Sequence, residues 1–341
     1  MSSHQYTPKN SLEMLTGSHS ITGAALPLGD FTIRAVIDWV EFEVHLSHTS
    51  QFRHVQDRIE RVIGDKVLVA PIGADASGTT QTFQFKLQDP LGPADAEAQL
   101  QNIFDDLAEP PRIVAVEVAV DAYHRRQDPA ALVSAAWDLF RRFQRLPSRG
   151  ARATGPSVDE DWVRRNPGKK KPRGFRDELG RSEHVGRYLA EGWTINVGRI
   201  DASFTCRFQV KVDDHKKGIS GRSALLPREH RARAEVTLRG PRVPFSSFDQ
   251  WRAFRFETLT AYFSWRTSVP NRAARNTLIR DQVLNWGHYE DERIGGPTGR
   301  RAKFPRWTMP DRALNAAAKN ALKMLDREQR RSRRLQKFDQ F

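Results

Sequence analysis

Hydrophobic and polar positions alternate along Val36–Leu46. Val40, Phe42, Val44 and Leu46 fall on one side and Trp39, Glu41, Glu43 and His45 on the other. A period of two predicts a half-buried strand. The period then lengthens: Phe52, Val55, Ile59 and Val62 recur at helical spacing, and Gly64 closes that helix. Lys66–Ile72 reads as a short apolar strand. Thr79–Leu87 alternates again, with Phe83, Phe85 and Leu87 opposite Thr82, Gln84 and Lys86. Ala94–Leu107 carries a helical stripe of Leu100, Ile103, Phe104 and Leu107, and Ile113–Val120 is a fourth strand. The order is β-α-β-β-α-β, the ferredoxin-like arrangement. It places both helices on one sheet face and sets the fourth strand antiparallel beside the first.

A further helix is expected over Asp128–Leu146, with Leu132, Ala136, Leu139 and Phe143 inward and Pro147 after it. A second run of strands follows. TINVG (194–198) is short. Ser203–Asp213 alternates without a break, setting Phe204, Cys206, Phe208, Val210 and Val212 against polar neighbours. His230–Gly240 does the same with Ala232, Ala234, Val236 and Leu238. Phe245–Trp265 is expected to be helical, as is the tail from Asp311. The fold class is therefore α+β: a ferredoxin-like βαββαβ unit, a second antiparallel-sheet α+β unit stacked beside it, and a basic helical C-terminal tail. The expected division is 1–30 as an N-terminal arm, 31–147 as the first unit, 148–180 as a basic loop, 181–270 as the second unit and 271–341 as the C-terminal helical region.

Charge narrows the partner. Lys and Arg number 55 against 41 Asp and Glu, a formal balance of +14 over 341 residues. Such a surplus favours a polyanion, because neutralising phosphates releases counterions. RRNPGKKKPR, Arg164 to Arg173, holds six cations and no acid, and the tail carries REQRRSRRLQK at 327–337. Arg164, Arg165, Lys169, Lys170, Lys171 and Arg173 in the loop, with Arg330, Arg331, Arg333 and Arg334 in the tail, are the expected phosphate contacts. The single cysteine, Cys206, excludes a disulfide framework and a multi-cysteine zinc site. No apolar run suggests a signal peptide or a membrane span, so a cytoplasmic setting is expected.

Against this basic background RIVAVEVAVDAYHRR, residues 112–126, places two acids in an apolar strand. Val114, Val116, Val118 and Val120 share the core parity, and Glu117, Ala119 and Asp121 take the other face. Glu41 and Glu43 on the first strand are expected on that same face. Such a cluster needs a counter-charge, either a divalent ion or cations from the second set of strands. Mg2+ and Mn2+ prefer oxygen ligands. Arg207 and Lys211 share one strand face, and Arg233 and Arg239 share another with Glu235. The plainer alternative is a solvated strand face with cross-strand salt bridges. No GxxxxGK[ST] loop occurs, and GISGRS at 218–223 reads as a turn. There is no His-apolar-His triplet; His45 and His48 are the nearest pair. An RNA-binding sheet presents paired aromatics; here Trp39 stands alone, suited to a base stack or to a structural place.

TINVG, SFTCRFQVK and RARAEVTLRG, in that order, resemble the replication initiation factor family of rolling-circle initiators and related relaxases. IDWVEF (37–42) is similar to that family's early aspartate–Trp–Leu strand, and RIVAVEVAVD to its R-x-D-x-A-x-D strand. The resemblance covers most of residues 31–266. It implies metal-dependent nicking of one DNA strand at an origin, in which a tyrosine keeps the 5′ end. It also implies Glu117, Asp121 and Glu235 as metal ligands, with Arg207, Lys211 and Arg233 as catalytic cations. Gln209 stands where the family has tyrosine, so the nucleophile must come from elsewhere. Of five tyrosines, Tyr123 follows the acidic strand and is the first candidate, and Tyr188 the second. Tyr6, Tyr262 and Tyr289 are the others. The implied partners are single- and double-stranded origin DNA, with a host helicase and a second copy of the chain as further candidates. Origin binding without nicking, a relaxase role and an unrelated RNA-binding module are the competing readings.

Overall fold

The computed structural model describes residues 26–64, 67–144, 151–154, 177–178, 188–198, 202–215, 222–268 and 308–338. The basic stretch 164–173, Tyr6 and Tyr289 lie outside them. The first unit runs β1 (Phe31–Gln51), α1 (Phe52–Ile63), β2 (Val69–Ile72), β3 (Thr79–Gln88), α2 (Pro93–Ile103) and β4 (Arg112–His124), followed by α3 (Pro129–Arg142). The expected order βαββαβ is present, with longer first and fourth strands than the alternation alone marks. Gly64 closes α1 at φ 76°, a left-handed conformation that suits glycine. The later elements are β5 (Ala151–Thr154), β6 (Asp177–Glu178), β7 (Thr194–Val197), β8 (Phe204–Lys211), β9 (Asp213–His215), β10 (Arg222–Ala224), β11 (Arg231–Arg239), α4 (Phe248–Ala253), β12 (Arg266–Ser268), β13 (Thr308–Pro310) and α5 (Arg312–Phe338).

The second run of strands does not form a sheet of its own beside the first. It continues the first sheet edge to edge, in the order β2-β3-β1-β4-β11-β8-β7-β5-β6. The join is β4 with β11, antiparallel, from Ala232 opposite Ala122 to Arg239 opposite Ala115. Both strands are buried along most of their length, so β4 is an interior strand. One face of the sheet is apolar. Val40, Phe42, Phe83, Phe85, Val116, Val118, Ala234, Val236 and Phe208 are all buried in the core cluster. Helix α3 packs on β4, β8 and β11. Phe143, at its end, meets Phe208, Phe263 and Trp265 edge-on.

Two β-bulges adjust the parity read from sequence. Ile37 pairs with Val118 and Trp39 with Glu117, leaving Asp38 as an extra residue in β1. Glu41 pairs with Ala115 and Phe42 with Ile113, leaving Val114 as an extra residue in β4. Val114 is therefore half-exposed, and Ile113 takes the core position expected of it.

Three expected helices differ. The one over 94–107 ends at Ile103, and Leu107 bridges to Leu46 instead. The one over 128–146 ends at Arg142. The one over 245–265 is broken into α4 and a 3-10 turn, Phe256–Ala261. Asp326 of α5 accepts from the Phe256 amide at 2.6 Å, and Asn315 accepts from the Trp265 amide at 2.7 Å. Side chains of α5 thus satisfy backbone groups that a continuous helix would satisfy internally. Asp128 caps α3, its Oδ1 accepting from the Ala130 amide at 2.9 Å. Asp128→Ala is expected to cost about 1 kcal/mol, read as a lower midpoint in urea unfolding. Among the described residues no helix is long and apolar enough to cross a membrane.

Candidate functional site

The polar face of the sheet is laid out in rows by strand register. Arg34, Asp121, Arg233 and Gln209 form one row across β1, β4, β11 and β8. Val36, Ala119, Glu235 and Arg207 form the next. Trp39, Glu117, Thr237 and Thr205 form the third. Period two keeps every member of these rows on one face. Acids from the first unit and cations from the second therefore meet because β4 and β11 are neighbours.

Asp121, Glu235, Arg233 and Glu117 are between 0% and 4% exposed, and Asp38 is 8% exposed. Arg233 grips Asp121 with both prongs, Nε at 2.6 Å and Nη2 at 2.7 Å, and its Nη1 donates to Asp38. Arg231 reinforces Asp121 with Nε 3.3 Å from Oδ2. Arg207 Nε donates to Glu235, and its Nη2 donates to Glu117 at 2.9 Å and lies 3.9 Å from Asp38. Lys211 Nζ stands 3.8 Å from Asp38. Thr237 Oγ1 donates to Glu117, and Gln209 Nε2 donates to Glu235 at 3.1 Å. Paired charges of this kind are tolerated inside a protein only when nearly every lone pair finds a donor.

Electrostatics set Glu117 and Asp38 apart from each other. Burial, with Glu235 and Asp38 beside it, pushes the Glu117 carboxyl up to about 7 against the pull of Arg207. Asp38 is also opposed by burial, yet Arg233, Lys211 and Arg207 hold it below the usual carboxylate range. The Arg207 and Arg233 guanidinium groups lose solvation but gain more from the carboxylates, so each is held more firmly charged.

Asp38, Glu117 and Glu235 each offer a carboxylate oxygen within 4.8 Å of the others. An all-oxygen, all-anionic set at that separation suits a hard divalent cation. This changes the expected ligand set in one member. Asp121 lies four residues along β4 from Glu117, about 13 Å of strand, so the two cannot share an ion. Arg233 and Arg231 take Asp121 instead. Asp38 replaces it, and the alternation of β1 hid it by assigning it the core parity. The bulge turns it onto the polar face. An ionisable residue at an apolar-parity position was the available signal, since an unpaired charge there is untenable. Glu41 and Glu43, expected beside Glu117, stay apart: Glu41 pairs with Ala115, and Glu43 accepts from Arg112 and Gln84.

The other expected residues fall as follows. Arg207, Lys211 and Arg233 are in the cluster. The Tyr123 hydroxyl donates to Asp121 at 3.4 Å, and Arg34 and Arg231 lie over its ring. Burial, then the Asp121 charge, raises its phenol above the ordinary range. Tyr188 is half-buried with its ring 4.7 Å from Trp193, and Tyr262 packs on Phe204. Arg330 is exposed on α5. Arg331, Arg333 and Arg334 continue that helix, and Arg164, Arg165, Lys169, Lys170, Lys171 and Arg173 lie outside the described residues. Trp39 is 5% exposed and covered by cations, so it offers no open face for a base.

No family model matches the chain, and no curated protein matches it. Among solved structures the chain is similar to the rolling circle replication initiator protein from Geobacillus stearothermophilus, with 12% identity and a TM-score of 0.31. The match covers 75% of this chain and 97% of that one. A likeness at this level carries no functional argument.

Proposed function

We propose that this chain is a rolling-circle DNA replication initiator that binds an origin and nicks and rejoins one strand, with Mg2+ or Mn2+ held by Asp38, Glu117 and Glu235. The observation that supports it is the meeting of three buried carboxylates with Arg207, Lys211, Arg231 and Arg233 on one sheet face. When bound, the ion polarises the scissile phosphate and neutralises its charge. Arg207 is the most exposed of the three arginines in this cluster, 36% at its side chain against 11% for Arg231 and 2% for Arg233, and can leave its carboxylates for a phosphate oxygen. Arg231 and Lys211 flank the strand's approach. In the step itself a tyrosine oxygen forms a bond to phosphorus and the P–O3′ bond breaks. The tyrosine proton passes to a carboxylate, and the 3′ oxygen leaves and takes up a proton. Tyr123 is the first candidate, with Asp121 as its acceptor, and Tyr188 the second. A relaxase acting at a transfer origin uses the same step. A host helicase and a second copy of the chain are the partners this reading adds.

One observation favours a second reading, origin binding without nicking. Tyr123 is four residues along β4 from Ala119, the partner of Glu235, about 13 Å of strand. Its raised phenol also resists ionisation. Supercoiled DNA carrying the origin of the chain's own replicon, incubated with protein and Mn2+, separates the two. Relaxation with a covalent adduct, mapped by mass spectrometry to one tyrosine, is expected. Binding without any adduct overturns the nicking and leaves the second reading. No preference for that DNA over RNA or unrelated DNA overturns both.

A further inference from the structure

On the polar sheet face Arg207, Lys211, Arg231 and Arg233 are each matched to a carboxylate, but Lys86 and Arg239 are not. Lys86 of β3 places Nζ 3.8 Å from the centre of the Trp39 ring, and the Arg239 guanidinium lies 5.5 Å from it. They arrive from different directions, since β3 flanks β1 on one side and β11 lies beyond β4 on the other. Among the described residues neither side chain makes a hydrogen bond or an ion pair with a protein group. Glu41, which opposes Ala115 in the row of Arg239, is the nearest compensating acid for Lys86.

An indole holds a cation through its ring face and uses none of its N–H donors. The ammonium and the guanidinium therefore keep their donors for an external group, three and five respectively. Two like charges gathered on one ring, half-buried, repel each other; burial, with Arg239 and Arg207 nearby, lowers the Lys86 ammonium. An anion between them relieves both effects. Phosphodiester oxygens match these donors in charge and in hydrogen bonding. Position matters as well. Trp39 opposes Glu117, and Arg239 is two residues beyond Thr237 on β11, about 7 Å from the acidic triad along the strand.

We infer that Lys86 and Arg239, mounted on Trp39, form a phosphate seat for single-stranded DNA, one nucleotide from the phosphate that meets the triad. The inference rests on the nicking reading for its register, but the seat binds DNA whether or not the strand is cut. Its role is positioning. It fixes which phosphodiester lies over Asp38, Glu117 and Glu235.

The test is fluorescence anisotropy of a labelled oligothymidylate across a KCl series, in EDTA so that no cleavage intervenes. For the double variant Lys86→Ala/Arg239→Ala, Kd is expected to rise about tenfold at physiological salt, and the slope of log K against log [salt] to shrink by about 0.7, one phosphate's worth on a single strand. Lys86→Arg keeps the wild-type slope and Lys86→Gln does not; both replace the side chain, so the contrast isolates charge from folding. A wild-type slope in the double variant overturns the seat. If wild type forms the covalent adduct while that slope is unchanged, the seat fails and the nicking reading stands. If wild type forms no adduct but the slope shrinks, the nicking reading fails and the seat stands.

Discussion

Arg233→Met is expected to destabilise the protein by about 3–5 kcal/mol, read as the free energy of urea unfolding at neutral pH. The reason is the company this side chain keeps. Arg233 is 2% exposed and is the bidentate partner of Asp121, which is fully buried. It also donates to Asp38. Methionine fills similar volume, so the loss is not a cavity effect. It leaves Asp121 with Arg231 and the Tyr123 hydroxyl and takes from Asp38 its principal cation. Arg233→Lys restores a charge but not the two-pronged geometry, so an intermediate loss is expected. A near-wild-type unfolding midpoint for Arg233→Met would mean that the cluster is hydrated, and would remove the basis for treating these acids as a preorganised site.

The contrast with the sequence reading is physical rather than statistical. Period-two alternation depends only on which side of a strand meets the core, so β8 and β11 were legible almost residue by residue. The βαββαβ order followed from the same signal. What alternation cannot register is a residue that adds no period. Asp38 and Val114 each sit at a bulge: Val114 leaves the core face expected of it, and Asp38 leaves the face that unbroken alternation with Val40 would give it. Pairing between distant strands was equally invisible. Glu117 and Arg207 are 90 residues apart, and only the β4–β11 join brings them within 2.9 Å. The helix expected over 245–265 failed for a related reason: Asp326 and Asn315 of α5 compete for backbone groups that local propensity assigns to a helix. The charged cluster was thus readable as composition and strand face, while its membership depended on tertiary register.

That membership is what Glu117→Gln examines. The variant keeps the shape of the side chain and its contact with Thr237, and removes one of three anionic oxygens. Mn2+ affinity, measured by titration calorimetry, is expected to fall steeply, and nicking by about 10²–10³-fold, equivalent to about 3–4 kcal/mol. The wild-type pH profile follows from the raised Glu117 carboxyl. Burial and Glu235 hold it protonated up to about 7, with Arg207, Asp38 and Thr237 also facing it. A bound ion must displace that proton, so Mn2+ affinity rises with pH through about 7 and then levels off. Stability runs the other way. A carboxyl whose folded value lies above its unfolded 4.5 binds more protons in the native state, so its contribution is full below about 4.5 and is lost as pH climbs through about 7. Glu117→Gln flattens that decline while weakening the metal. The two opposite slopes, both abolished by one substitution, distinguish a buried ligand from a structural acid. If Glu117→Gln leaves the pH dependence of Mn2+ binding intact, the ion is held elsewhere and Glu117 serves only to anchor Arg207.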